Sequence, residues 1–156
     1  MSEPKNAEEK LNQQTIEELY ACAEGNVKDV PKFVSLFTED GYFWDVAGGH
    51  KYSGAQLGSP VEVYDSAFPD MHRELHDLTY LDDMVVVELS LIGTHQGDLV
   101  FPAGTIPPTH KAISVPCCDV FHLGGGKVKS FHCYVAVPIL LQQIGVFANI
   151  GAAFRK

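Results

Sequence analysis

The sequence predicts an α+β fold in which helices come first and a run of antiparallel strands follows. Apolar side chains recur at helical spacing near the N-terminus, and they alternate with polar ones from about residue 73 onwards. The last two predicted strands are joined by "LGGGK", a glycine-rich turn of the kind that closes a hairpin. This order predicts helices packed on one face of a curved sheet, whose concave face forms a pocket.

The first two helices are defined by their end signals. Apolar spacing predicts a helix over about 8–24, which Gly25 and the asparagine after it bring to an end. Asp29 is the expected N-cap of a second, short helix, with Pro31 in its first turn and a stop at 39–41. Tyr20 then lies near the C-terminal end of the first helix.

A third helix, four strands and a helical tail complete the prediction. Ser59 as N-cap and Pro60 as first helical residue open a helix that runs to about residue 68. Strands are predicted over about 73–80, 84–94, 112–123 and 127–137. Residues 138–156 are expected to form a C-terminal helical tail beginning at Pro138. Its apolar side chains should pack across the pocket mouth or onto a second subunit, and they are Ile139, Leu140, Ile144, Phe147, Ile150 and Phe154.

Composition limits the possible partners. A chain of 156 residues, 46% hydrophobic and 20% charged, predicts one globular domain over 1–156, with about the first seven residues flexible. The net charge of −9 argues against nucleic acid, whose phosphates require a basic surface. No apolar run is long enough to span a bilayer and no signal-peptide core is visible, so we expect a cytoplasmic protein without membrane partners. The four cysteines have neither disulfide nor zinc-site spacing and are expected to be reduced thiols.

Asp45 is unusual because it interrupts the aromatic stretch "LFTEDGYFWDVAGG". An ionised carboxylate is costly in such a strand if it is buried without partners. Strand residues two apart share a face, so Asp45 lies with Phe43, and Tyr42 and Trp44 face the other way. Asp45 is therefore either a pocket carboxylate or a strand-end residue that caps the "AGG" turn.

Alternation in the later strands collects further side chains on one face. Asp119 shares a face with Cys117 on one strand, and Cys133 lies on the apolar face of the next strand. In an earlier strand, the same alternation places His95 on the apolar face. The pocket is therefore expected to contain these residues and Asp45. Its ligand-binding wall is predicted to consist of Phe43, Leu89, Cys117, Phe121, Phe131, Cys133 and Val135.

These stretches resemble a known family. "FPDMHRELHDL", "GTHQG", "IPPTHKAISV", "DVFHLGGGKVKSFHCY" and "LLQQIGV", in this order, resemble the SnoaL-like polyketide cyclases. Those proteins share the NTF2-like cone with ketosteroid isomerase, scytalone dehydratase and nuclear transport factor 2. The resemblance implies a curved, mostly antiparallel sheet wrapped around N-terminal helices, with a central pocket. It does not specify a reaction, since one cone serves many chemistries.

A second comparison concerns Asp45 directly. The spacing of "LFTEDGYFWDVAGGHKYSG" resembles ketosteroid isomerase, and Asp45 matches the general-base aspartate of that enzyme. Tyr20 falls near its oxyanion-hole tyrosine once one extra loop residue is allowed, and Asp119 matches its protonated, hydrogen-bond-donating aspartate. The structural alternatives are a core tyrosine and a buried aspartate bonded to neighbouring groups. His95 is a further acid/base candidate, with a solvated turn residue as its alternative.

The last strand departs from the cyclase pattern. Cyclases of this type carry an acid/base aspartate in a motif similar to "HWD", and the matching residues here are Phe131, His132 and Cys133. The expected acid is therefore a cysteine, which argues against aldol-type ring closure. Without a basic partner, Cys117 and Cys133 are interpreted as small apolar fillers.

No metal or cofactor is expected. His72, Glu74 and His76 share one strand face, but alternating charges on an exposed strand explain them equally well. No glycine-rich phosphate loop follows a strand.

The sequence thus predicts cofactor-free acid/base chemistry next to a carbonyl, an isomerisation, dehydration or cyclisation of a small apolar, aromatic or polyketide-like molecule. Asp45 would be the base, and Tyr20 with Asp119 would stabilise the enolate oxygen. The alternative is a non-catalytic ligand-binding or dimerisation module. The resemblance also implies a homodimer, because open sheets of this fold usually pair through their convex faces. The outward set here is not strongly charged, and it comprises Ser114, Cys118, Val120 and His122.

Overall fold

The structure, a computed structural model, describes residues 2–147. The helices are α1 (Ala7–Cys22), α2 (Val30–Ser35), α3 (Ser59–Ala67) and α4 (Val137–Gln143), with a 3-10 turn at Gly54–Gln56. The strands are β1 (Phe37–Asp45), β2 (His50–Ser53), β3 (His72–Leu81), β4 (Met84–Thr94), β5 (Leu99–Phe101), β6 (Gly104–Ile106), β7 (Ala112–Gly124) and β8 (Lys127–Val135).

Six strands form one curved sheet in the order β2-β1-β8-β7-β4-β3. Neighbours are antiparallel except β1 and β8, which run parallel, and β5 with β6 forms a separate hairpin. The predicted α+β class and the four long strands are confirmed. Because β8 lies between β1 and β7, residues far apart in the sequence meet at the centre of the sheet.

Helix α1 positions a tyrosine over the concave face of the sheet. Asn6 caps the helix, since its Oδ1 accepts the Glu9 N–H at 2.8 Å. Leu19 and Tyr20 are buried near the C-terminal end, and the Tyr20 ring meets the Phe121 ring edge-on at 6.1 Å between centroids. The C-terminal end of α1 therefore reaches β7 through the side chain of Tyr20.

Two predicted helix boundaries were wrong. The expected stop of α2 at 39–41 lies inside β1, because the helix already ends at Ser35. Gly41 is needed instead at an irregularity in the β1–β8 pairing, where a Cβ would lie 2.8 Å from the Val128 carbonyl oxygen. Ser59 is the first helical residue of α3 rather than its cap, since Gly58 occupies the N-cap position.

The sequence reading missed three short strands and placed one strand end too late. β2, β5 and β6 were not predicted, and β8 ends at Val135, so that Val137 begins α4 instead. The tail does start as a helix with Pro138 in its first turn, and its Leu140 and Ile144 are buried. Ile150 and Phe154 of the predicted tail lie outside the described residues.

Candidate active site

An inner cavity of about 50 Å³ lies between the helices and the concave face of the sheet. Leu19, Val61 and Phe131 contribute apolar wall from α1, α3 and β8. The polar or ionisable side chains on its wall are Tyr20, Asp45, Tyr64, Arg73, Cys117, Asp119 and Cys133. Since one water needs about 10–15 Å³ by this kind of measure, the cavity admits a few small groups but no ring system.

Strand register aligns two carboxyl groups with a thiol between them. Cys133 pairs with Asp45 across β1 and β8, and with Asp119 across β8 and β7. Two strand spacings separate the backbones of the two aspartates by about 10 Å. Cys117 lies two residues before Asp119 on β7, and the two side chains share a face of the strand.

Asp119 is the centre of a buried hydrogen-bond cluster. The Tyr20 hydroxyl donates to its Oδ2 at 2.7 Å, and the Cys117 thiol donates to its Oδ1 at 3.3 Å. The sulfur atoms of Cys117 and Cys133 lie 3.7 Å apart. Asp119 is only 2% exposed, so this carboxyl group depends on these neighbours rather than on water.

Burial favours the neutral forms throughout this cluster. It raises the pKa of Asp119, against the opposing hydrogen bonds from Tyr20 and the two thiols. Burial, with the charge of Asp119, also raises the pKa of Tyr20 well above its ordinary value. The hydrogen bond with Cys117, together with burial, raises the pKa of Cys133 well above the usual thiol range. Asp119 therefore stays protonated up to a higher pH than an ordinary aspartate does.

Asp45 lies at the junction of two cavities. It is half-buried at the end of β1, and its Oδ1 accepts the Gly48 N–H at 3.0 Å. Its side chain lines the inner cavity and also a larger outer one. The Asp45 carboxylate thus both caps the turn and lines the pocket. The two interpretations made from the sequence are therefore compatible.

The outer cavity, of about 950 Å³, is large enough for an organic molecule. Its aromatic and aliphatic walls come from β2, α3, the β5–β6 hairpin and α4, and include Tyr52, Tyr64, Phe101, Ile106, Val137 and Leu141. Asp45, Pro60 and Tyr64 line both cavities. Val137 and Leu141 of α4 thus form part of the wall of the outer cavity.

Arg73 is a charged wall residue that sequence reasoning missed. Its side chain is 10% exposed and lines the inner cavity. Its Nη1 donates to the Ala23 carbonyl oxygen and lies 3.6 Å from Oδ1 of Asp65. Burial raises the pKa of Asp65 to about 6, although Arg73 opposes the shift. The only sequence signal was an arginine that interrupts the alternation of a predicted strand.

Three predicted pocket residues lie elsewhere. His95 is fully buried, but its ring packs on Phe68 at 5.4 Å and its Nδ1 contacts the Thr109 hydroxyl at 3.0 Å, outside the inner cavity wall. Leu89 and Phe121 are also buried, in the core rather than on that wall. The remaining predicted wall residues do line the inner cavity: Phe43, Cys117, Phe131, Cys133 and Val135.

His72 and His76 of the group His72, Glu74 and His76 each contact a residue outside it, and the Glu74 carboxylate lies 3.9 Å from Nδ1 of His76. His72 Nδ1 is 2.8 Å from Oε2 of Glu24, and His76 Nε2 is 2.7 Å from the Ser90 hydroxyl. All three residues are exposed. Pairing between side chains on an exposed surface therefore accounts for this group. This is the alternative to a metal site that the sequence offered.

Comparison with known families now decides the class of protein. The model of the SnoaL-like domain family matches residues 16–131, which include the C-terminal part of α1, the long strands β3, β4 and β7, and all the inner-cavity residues before Cys133. The chain belongs to the SnoaL-like family. None of the curated proteins compared with it matches.

Solved structures of SnoaL-like and related proteins share the fold. A candidate SnoaL-like polyketide cyclase from Jannaschia sp. CCS1 is 20% identical, with a TM-score of 0.79 over 92% of this chain and 97% of that one. AclR, a candidate hydroxylase from Streptomyces galilaeus, is 22% identical, with a TM-score of 0.71 over 86% and 95%. A protein from Catenulispora acidiphila with a ketosteroid isomerase-like fold is 19% identical, with a TM-score of 0.70 over 85% and 93%. The SnoaL-like chain therefore has the NTF2-like fold.

Within residues 2–147, no helix has the length and apolar character needed to cross a membrane.

Proposed function

We propose that this SnoaL-like protein catalyses cofactor-free proton transfer at a carbon next to a carbonyl, in an isomerisation, dehydration or cyclisation. The observation that carries the proposal is a pair of carboxyl groups in contrasting environments on one pocket wall. Asp119 is 2% exposed and hydrogen-bonded to Tyr20, whereas Asp45 lies half-buried where the two cavities meet. Two carboxyls whose environments differ in this way suit an acid role and a base role.

Asp45 acts as the base. The Gly48 N–H occupies its Oδ1, which fixes the carboxylate and leaves Oδ2 to accept a proton. Its position at the junction suits a substrate whose body fills the outer cavity and whose carbonyl end enters the inner one. The aromatic and aliphatic walls of the outer cavity suit a small apolar, aromatic or polyketide-like molecule.

Tyr20 and Asp119 stabilise the enolate oxygen. The Tyr20 hydroxyl now donates to Oδ2 of Asp119, and a substrate oxygen would replace this acceptor. Burial raises the pKa of Asp119, so its protonated form provides a second O–H donor. These roles match the ketosteroid isomerase resemblance. His95 takes no part, because its ring packs on Phe68 outside the inner cavity wall.

Proton exchange in deuterated water tests the proposal without knowledge of the natural substrate. NMR would follow loss of the α-proton signals from cyclic ketones, α,β-unsaturated ketones and β-keto esters. Asp45→Asn should slow exchange on the order of a hundredfold or more, whereas Asp119→Asn retains a donor and should keep part of the activity. If Asp45→Asn lowers stability and leaves the rate per folded molecule unchanged, the carboxylate is a turn cap and not the base.

A second candidate is a non-catalytic binding module. Cys133 favours it, because this residue occupies the position of the acid/base aspartate of the cyclases that the chain resembles. A module of this kind would bind apolar ketones in the outer cavity without accelerating exchange. Binding measured by calorimetry beside the exchange rate separates the two candidates.

A further inference from the structure

Two thiols and a carboxylate converge at the inner cavity. One ligand-type atom from each of Cys117, Asp119 and Cys133 lies within 4.8 Å of the other two. All three side chains line the inner cavity. We propose that they form a binding site for a thiophilic divalent cation of the zinc type.

The distances between these atoms suit tetrahedral coordination. With zinc–sulfur bonds of about 2.3 Å, two sulfur ligands in a tetrahedron lie about 3.8 Å apart. The corresponding sulfur–oxygen separation is about 3.6 Å for a zinc–oxygen bond of about 2.1 Å. The two sulfur atoms lie 3.7 Å apart, and Cys117 Sγ is 3.3 Å from Oδ1 of Asp119. A metal ion would therefore need only small side-chain adjustments.

A disulfide fits the same thiols less well. Cys117 pairs with Val135 and Cys133 pairs with Asp119, so the two cysteines are diagonal neighbours across β7 and β8. Diagonal positions in an antiparallel pair lie about 7–8 Å apart, beyond the usual Cα separation of about 4.4–6.8 Å in a disulfide. Bridging by an ion avoids the movement of the sheet that a sulfur–sulfur bond would require.

Tyr20 holds the carboxylate of Asp119 through the oxygen that is not assigned to the metal. Its hydroxyl donates to Oδ2 of Asp119 at 2.7 Å, which leaves Oδ1 on the side of Cys117. An outer hydrogen bond of this kind orients a metal ligand and is a common feature of metal sites.

The cavity provides the fourth position and a compensating charge. A volume of about 50 Å³ has room for an ion and one or two waters. Metal binding would release the protons of both thiols and of Asp119 to solvent. The two thiolates, the carboxylate and a divalent cation then carry one negative charge together, and Arg73 lines the same cavity. Three protein ligands with an open fourth position are the arrangement of zinc sites that exchange ligands.

An ion at this site would block the proposed chemistry. It would take Oδ1 of Asp119 and fill the space intended for the substrate carbonyl. Metal binding would then inhibit proton exchange, although the binding itself does not depend on the proposed function.

Titration of the full-length, reduced protein with Co²⁺ under anaerobic conditions tests the site. Tetrahedral cobalt bound to thiolates gives visible and charge-transfer absorption, and competition with Zn²⁺ gives its affinity. One equivalent should bind to the wild type and to Cys118→Ala, whose side chain lies on the opposite face of β7. Since losing an outer-shell partner costs about 10–100-fold, Cys117→Ala and Cys133→Ala should each lose at least about a hundredfold in affinity.

Asp45→Asn separates this proposal from the proposed function. It should slow proton exchange on the order of a hundredfold or more, yet bind metal within a few-fold of the wild type, because Asp45 is not a ligand. Circular dichroism and melting temperature would verify folding, with the serine variants as substitutes for any alanine variant that does not fold. The metal proposal is overturned if the wild type shows no thiolate–cobalt absorption, or if removal of both thiols leaves the affinity unchanged.

Discussion

Cys133 lies in register between Asp45 and Asp119, so that a single thiol separates the two carboxyl groups across three neighbouring strands. A carboxylate at this position would have an acidic group on either side, on a mostly apolar wall. The thiol keeps the middle of the row neutral, because its hydrogen bond with Cys117 and its burial raise its pKa well above the usual range.

Cys133→Asp should therefore be strongly destabilising at neutral pH. An uncompensated buried charge typically costs about 3–5 kcal/mol, and we expect a loss of this order in the free energy of unfolding at pH 7. The loss should shrink as the pH falls and the new carboxyl group becomes protonated. Urea unfolding at several pH values measures it, with Cys133→Asn as the neutral control of similar size. An equal loss at all pH values would contradict the electrostatic account.

Tyr20→Phe should destabilise the protein, and the loss should grow at the pH where Asp119 ionises. The Tyr20 hydrogen bond opposes the raised pKa of Asp119, so its removal raises that pKa further. While Asp119 is protonated, the free energy of unfolding should fall by about 1–2 kcal/mol, because one buried hydrogen bond is missing. Above the pH at which the wild-type carboxyl group ionises, the loss should increase, because the folded variant holds that proton more tightly. Tyr64→Phe is a matched control in urea unfolding at several pH values, since Tyr64 has no hydrogen-bond partner among the described residues. A loss that stays the same from acid to alkaline pH would argue that only packing is affected.

Asp65 should make stability fall as the pH rises. Burial raises its pKa to about 6, so the folded protein holds this proton more tightly than the unfolded chain does. Its contribution is fully present below about pH 4 and should be lost, by roughly 3 kcal/mol, as the pH rises through about 6. The unfolding free energy of Asp65→Asn should lack this decline, whereas Asp83→Asn, at an exposed position, should retain it. A decline that persists in Asp65→Asn would assign it to another group.

The convex face of the sheet should be the interface of a homodimer. Trp44, Val120, His132 and Tyr134 lie on this side of the central strands, and Val120 pairs directly with His132. Val120→Glu should raise the dimer dissociation constant at least about tenfold, because a charge would be buried in the interface. Val100→Glu, on the exposed β5–β6 hairpin, is the control. Light scattering that finds a wild-type monomer at micromolar concentration would end the dimer proposal.

The C-terminal segment should close the outer cavity. Val137 and Leu141 of α4 line it, and the Gln143 side chain bonds the Ser114 backbone N–H and carbonyl at 2.7 and 2.9 Å. Deleting residues 146–156 should lower the melting temperature or admit an apolar fluorescent dye. If neither the melting temperature nor dye binding changes, residues 146–156 contribute nothing to the closure of the cavity.

Alternation within single strands could be predicted from the sequence, but pairing between strands could not. Cys117 and Asp119 share a face because β7 is regular, and this was visible in the residue pattern. The contact between Asp45 and Cys133 requires parallel pairing of β1 with β8, whose register changes between Phe37 and Tyr42. No local pattern records that pairing.

The misplacement of His95 and the omission of Arg73 both have physical causes. His95 follows the last residue of β4, so strand alternation no longer applies to it, and its ring turns to Phe68. Arg73 reads as a surface residue until the end of α1 and Asp65 of α3 cover it. Its burial is a property of the packed helices, which the strand sequence alone does not contain.

The turn after β1 gives the main chain direct control of a reactive side chain. Gly48 donates its N–H to Asp45, and a Cβ at position 48 would overlap the other carboxylate oxygen. Substitutions or insertions at 46–49 would therefore swing the carboxylate while the sheet stays intact. Changes in this turn would therefore move the Asp45 carboxylate within the pocket while Asp45 itself is kept.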